Sequence, residues 1–219
     1  MELPLFPLNS VLFPGMPLQL HIFEDRYKKM INYCIDNQKP FGVVLIQNGR
    51  AEGAPIAKPH RIGTTAHITK VERLPHERLN IMVVGRDRFK INELDLTSHA
   101  YLTGDVDLLP FDNNDTTVLR SGHLKLRPLL EKYLLALVEA GQAEFDIAQL
   151  PDKPLSLAFL SAVLLQADDS IKQNILESED SHALFTQLLR IYQKEVALIK
   201  ILLSPPQLEE DADFPFSLN

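Results

Sequence analysis

Hydrophobic positions recur with two different periods along the chain, and the period changes near Pro110. Between residues 61 and 108, apolar and polar side chains alternate in short runs such as RIGTTAHITKV and LNIMVVG, which LPHERL separates. Alternation with period two predicts strands with one buried face, and the short separator predicts a hairpin. Beyond Pro110, apolar side chains recur every three to four residues, which predicts helices.

One helix is predicted inside the strand-rich part. Its apolar positions follow the spacing of one helix face: Tyr27, Met30, Ile31, Cys34 and Ile35. The run FGVVLI at 41–46 follows it and predicts a strand that is buried on both faces. Several short strands with a single early helix predict a small, partly closed β-barrel.

The opening segment LPLFPLNSVLFPGMPLQLHIFEDRY is very apolar, yet it contains Pro4, Pro7, Pro14 and Pro17. Proline has no N–H donor, so it is confined to strand edges and rims. We therefore expect this segment to wrap the edge of the barrel without pairing in its middle.

The second part of the chain predicts a helical bundle. Leu126, Leu130, Tyr133 and Leu137 share one face of a helix that ends near Gly141, and a broad apolar face runs along residues 181–203. Pro205 and Pro206 stop the last helix. The predicted organisation is an α+β chain with a barrel over 1–110, a helical bundle over 111–204 and an acidic, flexible tail over 205–219.

Charge and composition narrow the class of protein. The net charge is −7, with +1 on residues 1–110 and −8 on residues 111–219. An acidic chain without a basic stripe argues against a nucleic-acid partner. Without a long apolar run or a signal-peptide pattern, we expect a cytoplasmic protein that does not span a membrane. The single cysteine, Cys34, lies on an apolar helix face and is expected to be a small buried hydrophobe.

Familiar catalytic motifs are missing from the sequence. It contains no GxxxxGK[ST], HExxH, CxxC, GxSxG or SxxK, and its histidines lack metal-ligand spacing. We therefore predict no catalytic residue, no metal and no cofactor, and a protein that is not an enzyme.

Several segments together resemble the N-terminal domain of Lon proteases. The opening segment has the family's Leu-Pro-Leu-x-Pro-Leu start and its Phe-Pro-x-Met continuation. HRIGTTAHITKVERLPHERLNIMVVGRDRFKINEL is similar to the family's Gly-Thr strand, Leu-Pro hairpin and Val-x-Gly-x-x-Arg-Phe strand. AYLTGDVDLLP resembles the strand that closes this unit, and LPDKPLSLAFLSAVLLQADDSIKQNILE resembles the helical subdomain.

The resemblance covers about residues 3–203 and implies a PUA-like pseudo-barrel followed by a helical bundle. It also implies a bacterial polypeptide-binding module, similar to the region with which the ATP-dependent protease captures substrate. The family's P-loop ATPase and Ser-Lys protease domain have no counterpart in this sequence. The partners expected from the resemblance are unfolded or extended polypeptides, with protease or chaperone components as further candidates.

The candidate peptide-binding side chains are the large ones of the opening segment that a barrel rim cannot fully bury: Phe13, Met16, Phe23 and Tyr27. Exposed aromatic and methionine side chains suit sequence-tolerant recognition, in a groove between barrel and bundle. A second class of function stays open, because PUA-like barrels also serve as small-molecule or RNA-associated modules. A closed pocket with convergent polar groups would favour that alternative, and a long open apolar groove would favour polypeptide binding.

Overall fold

A computed structural model of the chain describes residues 1–48, 58–111, 115–141 and 145–203. The described strands are β1 (Glu2–Leu8), β2 (Pro17–Ile22), β3 (Phe41–Asn48), β4 (Lys58–Pro59), β5 (Ile62–Arg73), β6 (Leu79–Asp95) and β7 (Thr103–Leu108). The described helices are α1 (Asp25–Asp36), α2 (Thr116–Glu139), α3 (Pro154–Leu164), α4 (Asp169–Leu176) and α5 (Ser181–Leu203), with a 3-10 turn at Ile147–Gln149. None of these helices is long and apolar enough to cross a membrane.

The strands form one mixed sheet in the order β1-β7-β6-β5-β3-β4, and β2 adds to β6. Because β1 also pairs with β3 in parallel, the path of pairings returns to its first strand. All other pairings are antiparallel. The predicted α+β class, with a strand-rich first part, one early helix and helices afterwards, is confirmed.

The expected edge position of the opening segment is wrong for β1, which pairs on both sides. Residues 2–4 pair with β7, and residues 5–8 pair with β3. The Leu5 N–H donates to the Leu102 carbonyl at 2.8 Å, so odd-numbered positions direct their N–H toward β7. An N–H at position 7 would point toward β7, but the β1–β7 pairing ends at Pro4. An N–H at position 4 would point toward β3, but the β1–β3 pairing begins only at Leu5. Each proline therefore stands where no ladder donor is needed.

The predicted helices form where their spacing places them. Leu126, Leu130, Tyr133 and Leu137 are buried on α2, and the backbone of Gly141 turns to a left-handed φ of 68° just beyond the helix. The strand predicted from RFKINEL continues without a break from LNIMVVG, and both belong to the long β6. The predicted acidic tail, residues 205–219, lies outside the described residues.

The core shows how closely the two parts of the chain are joined. One apolar cluster lies among helices α2–α5, yet it also contains Val11, Phe13 and Leu45 from the strand-rich part. Two further clusters lie on the sheet, one of them beneath α1. Side chains from before and after residue 110 therefore share one core. The division into two domains at this residue stays a prediction.

A buried arginine makes a second connection between sheet and helices. Arg88 on β6 is only 3% exposed, and its Nη1 donates to the carbonyls of Leu176 and Ser178, both at 2.7 Å. Its guanidinium also lies 3.7 Å above the ring of Phe111. These carbonyls stand at the C-terminal end of α4, where the helix leaves acceptors unpaired and favours a positive charge. Arg88 therefore caps α4 against the sheet.

Candidate functional site

A groove of about 470 Å³ lies between the turn that leads into β2 and the segment that leads into α3. One wall is the turn itself, and the other is made by the 3-10 turn and α3. Its lining residues are Pro14, Gly15, Met16, Pro17, Gln149, Pro151, Ser156, Leu160 and Val163. The groove thus lies where the strand-rich part meets the helices, the location expected from the sequence.

The first wall is a tight turn that the sequence Phe-Pro-Gly-Met specifies. The Met16 N–H donates to the Phe13 carbonyl at 3.0 Å, which closes a four-residue turn. Proline suits its second position, and the third position, Gly15, has a φ of 82° that disfavours other residues. This geometry directs Phe13 and Met16 away from each other: Phe13 is buried, whereas Met16 is partly exposed in the groove.

The turn is fixed directly onto the middle of β6. Gly15 N–H donates to the Gly85 carbonyl at 2.8 Å, and Gly85 N–H donates to the Met16 carbonyl at 3.0 Å. A Cβ on Gly85 would lie 2.4 Å from the Phe13 carbonyl oxygen, so only glycine allows this approach. The turn is therefore a rigid wall whose position is set by the sheet.

The second wall is the partly exposed side of α3. Pro154 occupies the first turn of this helix, where the missing N–H costs nothing. The helix PLSLAFLSAVL is apolar on nearly every side, so it needs a covering surface on more than one face. Leu157 and Ala162 are buried in the helical core, whereas Leu160 and Val163 are partly exposed toward the groove.

The lining of the groove is mostly apolar. None of its nine lining residues is ionisable, and its only polar side chains are those of Gln149 and Ser156. The prolines present apolar rings without N–H donors, and Met16 adds a flexible, polarizable side chain. Such walls can hold apolar side chains of different shapes while making few directional demands.

The four candidate residues do not lie together in the structure. Phe13 and Tyr27 are buried, and the Tyr27 ring stacks on Phe6 with 4.1 Å between ring centroids. Phe23 is 47% exposed but stands beyond the far end of β2, roughly 20 Å from Pro17 at the strand rise of antiparallel sheets. Of the four, only Met16 lines the groove. The position of Phe13 in the core makes it a support for the groove wall.

A second cleft, of about 610 Å³, lies beside the first strand and carries more polar groups. The His99 and Tyr101 rings stack there at 5.1 Å, and the Lys39 ammonium donates to the Tyr33 hydroxyl at 3.1 Å. This hydrogen bond raises the pKa of Lys39. Among the described residues, no three His, Cys, Asp or Glu side chains are grouped as a metal site would require.

Cys34 fits the prediction of a small buried hydrophobe. Its side chain is buried beneath α1, and burial raises the pKa of its thiol to about 12. The thiolate is the reactive form of cysteine, so this environment suppresses nucleophilic chemistry near neutral pH.

Sequence reasoning missed the residues of the second wall. Pro151, Leu160 and Val163 are more than 130 positions away from the Met16 turn, and no local pattern connects the two segments. One signal was present: PLSLAFLSAVL has apolar side chains on nearly every face, more than a single packing surface requires.

The chain is similar in sequence to known proteins. A family model, the ATP-dependent protease La (LON) substrate-binding domain, matches residues 2–194. Lon protease 2 of Myxococcus xanthus is 25% identical over 201 residues, which are 91% of this chain and 24% of that protein. Lon protease of Flavobacterium johnsoniae is 33% identical over 106 residues, 48% of this chain and 13% of that protein. The chain spans about a quarter of the length of relatives that match most of it.

Solved structures with the same fold come from Lon N-terminal domains. The Lon N-terminal domain protein from Xanthomonas campestris superposes with a TM-score of 0.67 and 28% identity, covering 87% of this chain and 98% of that one. The N-terminal domain of a Mycobacterium avium complex Lon protease has a TM-score of 0.66 and 19% identity, covering 90% and 98%. With a family model matching 193 of its 219 residues, this chain belongs to the LON substrate-binding domain family.

Proposed function

We propose that this chain is a non-catalytic recognition module that holds extended, partly apolar polypeptides in the groove between the Met16 turn and α3. The observation that carries the proposal is the groove itself, with apolar walls and no ionisable lining residue. An unfolded segment presents exposed apolar side chains, and their burial against such walls supplies the favourable free energy.

The apolar lining of the site supports a polypeptide over a small molecule. A small-molecule site is expected to converge several polar groups in an enclosed pocket. This groove offers only Gln149 and Ser156, at its exposed rim. Met16 can adapt to side chains of different sizes, which suits sequence-tolerant binding.

Family membership supports the same role. The family description names substrate binding, and the relatives carry the name Lon protease. The part of such a relative that this chain matches is about a quarter of its length, and we assign the recognition step to that part. We propose that it works in the cytoplasm, with protease or chaperone components as its other partners.

Two groove variants test the proposal. The probe is reduced, carboxymethylated α-lactalbumin, a permanently unfolded polypeptide, and its affinity is measured by fluorescence anisotropy. Met16→Ser and Val163→Asn each remove apolar surface from one wall. We expect each to weaken binding by about 1–2 kcal/mol, which is roughly a 5- to 30-fold rise in Kd.

Matched surface variants separate a groove effect from a general one. Leu124→Ser on α2 and Phe23→Ser beyond β2 also remove exposed apolar side chains, but neither residue lines the groove. Both should bind the probe like the unaltered chain, and all four variants should melt within a few degrees of it. No binding by the unaltered chain would refute polypeptide recognition, and loss confined to Phe23→Ser would refute the groove assignment.

A further inference from the structure

We infer that the chain carries its own competitor for the groove: residues 214–216, Phe-Pro-Phe, occupy the space between the Met16 turn and α3. The inference deepens the proposed function and rests on it, because it assigns regulation to the same site. The segment belongs to this chain and lies outside the described residues.

The composition of the segment matches the walls. Residues 204–219 read SPPQLEEDADFPFSLN, so an acidic stretch leads into Phe214, Pro215 and Phe216. One phenylalanine stands on each side of the proline. Because proline disfavours a helical conformation of the residue before it, this sequence favours an extended backbone that presents both aromatic side chains. The groove is lined by apolar side chains and proline rings, with no charge to oppose such a unit. This is the class of ligand that the groove is proposed to take.

The distance is within reach of the segment. The Tyr192 hydroxyl on α5 donates to the Ser161 carbonyl on α3 at 2.7 Å, which places this part of α5 directly against the helix of the groove wall. From Tyr192 to the end of α5 at Leu203 the helix rises about 17 Å. With an interaxial distance of about 10 Å, Leu203 lies roughly 20–25 Å from the groove residues Leu160 and Val163. The ten residues that precede Phe214 span up to about 35 Å when extended.

A second apolar surface lies closer to the end of α5 and is the competing location. Gly122 on α2 faces the Phe185 ring on α5, and Tyr133 packs edge to face on Tyr192 at 5.2 Å, so the two helices run in the same direction and their C-terminal ends lie at the same end of the bundle. Four exposed apolar side chains surround these ends, and we call them the end patch: Leu135, Val138, Leu198 and Ile201. The end patch lies on outward-facing helix surfaces, whereas the groove offers two facing walls that can contact both sides of an aromatic ring. We therefore assign the segment to the groove.

Tethering makes even a weak contact effective. A segment held by a linker of about ten residues has an effective concentration on the order of 1 mM at its site. If its intrinsic Kd is on the order of 0.1–0.5 mM, the tethered segment lowers the apparent affinity of an outside polypeptide by about three- to ten-fold. Loss of the two rings should release this competition.

The test uses the full chain with Phe214→Ser and Phe216→Ser together. We expect its affinity for reduced, carboxymethylated α-lactalbumin to rise about three- to ten-fold over the unaltered chain. In methyl NMR spectra, the Met16, Leu160 and Val163 signals should differ between the two chains. A synthetic peptide of residues 204–219 added to the double variant should shift these signals back. The matched control, Glu209→Gln with Glu210→Gln, keeps both rings and should bind the probe like the unaltered chain.

The outcomes separate this inference from the proposed function. Equal affinity of the two chains for the probe, with unchanged groove signals, would overturn the inference while polypeptide binding stands. Shifts confined to the end patch would overturn it as well, as would a control that gains as much affinity as the double variant. If the peptide shifts the groove signals but no chain binds the probe, the segment docks as inferred and the proposed function is the part that fails.

Discussion

The rings of Phe13 and Phe159 lie 6.2 Å apart, and this contact joins the two walls of the groove from beneath. Phe13 begins the turn that carries Met16, and Phe159 belongs to α3, whose Leu160 and Val163 form the other wall. Phe159 in turn stacks on Phe111 at 6.0 Å. The spacing of the walls therefore depends on buried aromatic packing and not on contacts inside the groove.

We expect Phe13→Ala to destabilise the chain by about 3–4 kcal/mol, because it empties a fully buried site in a shared core. Chemical denaturation followed by circular dichroism measures this loss. Phe23→Ala is the matched control: its side chain is largely exposed, so it should cost less than about 1 kcal/mol. A small loss for Phe13→Ala together with strongly weakened polypeptide binding would instead show that Phe13 contacts the ligand.

Two glycines of the groove wall should respond to alanine for different reasons. Gly85→Ala places a Cβ against the Phe13 carbonyl, so we expect a loss of about 3 kcal/mol in the free energy of unfolding. At Gly15 nothing lies within 4 Å of an added Cβ, and only the left-handed φ opposes it. Gly15→Ala should cost about 1 kcal/mol, and Gly15→Asn less, because asparagine tolerates this conformation. The reverse order in denaturant unfolding would contradict the geometry of the turn.

The cap that Arg88 forms on α4 should be essential to stability. Arg88→Met keeps much of the side-chain volume but leaves the Leu176 and Ser178 carbonyls without this donor, so we expect a loss of about 2–4 kcal/mol. Arg86→Met on the same strand is the control, because Arg86 is exposed and should change stability by less than about 0.5 kcal/mol. Equal melting temperatures for the two variants would disprove the capping role.

Burial of the Cys34 thiol makes the free energy of unfolding depend on pH in the alkaline range. Its pKa is raised from an ordinary value of 9.0 to about 12, so the folded chain keeps the thiol protonated while the unfolded chain loses the proton above pH 9. The stabilising effect is complete below pH 9 and is lost as pH rises toward 12. The advantage of the unaltered chain over Cys34→Ala should thus shrink by about 1.4 kcal/mol between pH 8 and pH 10. A difference that stays constant over this range would show that the thiol ionises equally in both states.

Local patterns predicted helices α1, α2 and α5 and the strands of the hairpin β5–β6. The spacing of Leu126, Leu130 and Tyr133 on α2 and the alternating burial along residues 79–85 of β6 reflect which face each element must bury, and neighbouring residues carry that information. On β5, by contrast, the four consecutive residues 63–66 are all buried. The role of β1 was not predictable in this way. Its prolines predicted a position at the sheet edge. In the structure, residues 2–4 pair with β7 and residues 5–8 pair with β3, and these partners determine which backbone positions need no N–H donor.

The candidate site was also predictable only in part from local sequence. The Phe-Pro-Gly-Met turn follows from local residue preferences, because proline fixes φ at its second position and glycine permits the left-handed φ at its third. Long-range packing places Phe13 in the core and Phe23 far from the groove. It also decided that Leu160 and Val163, far along the chain, form the opposing wall. The direction of each side chain depends on which distant surface packs against it. Burial arises from contacts between residues that are far apart in the chain, so local spacing does not predict it.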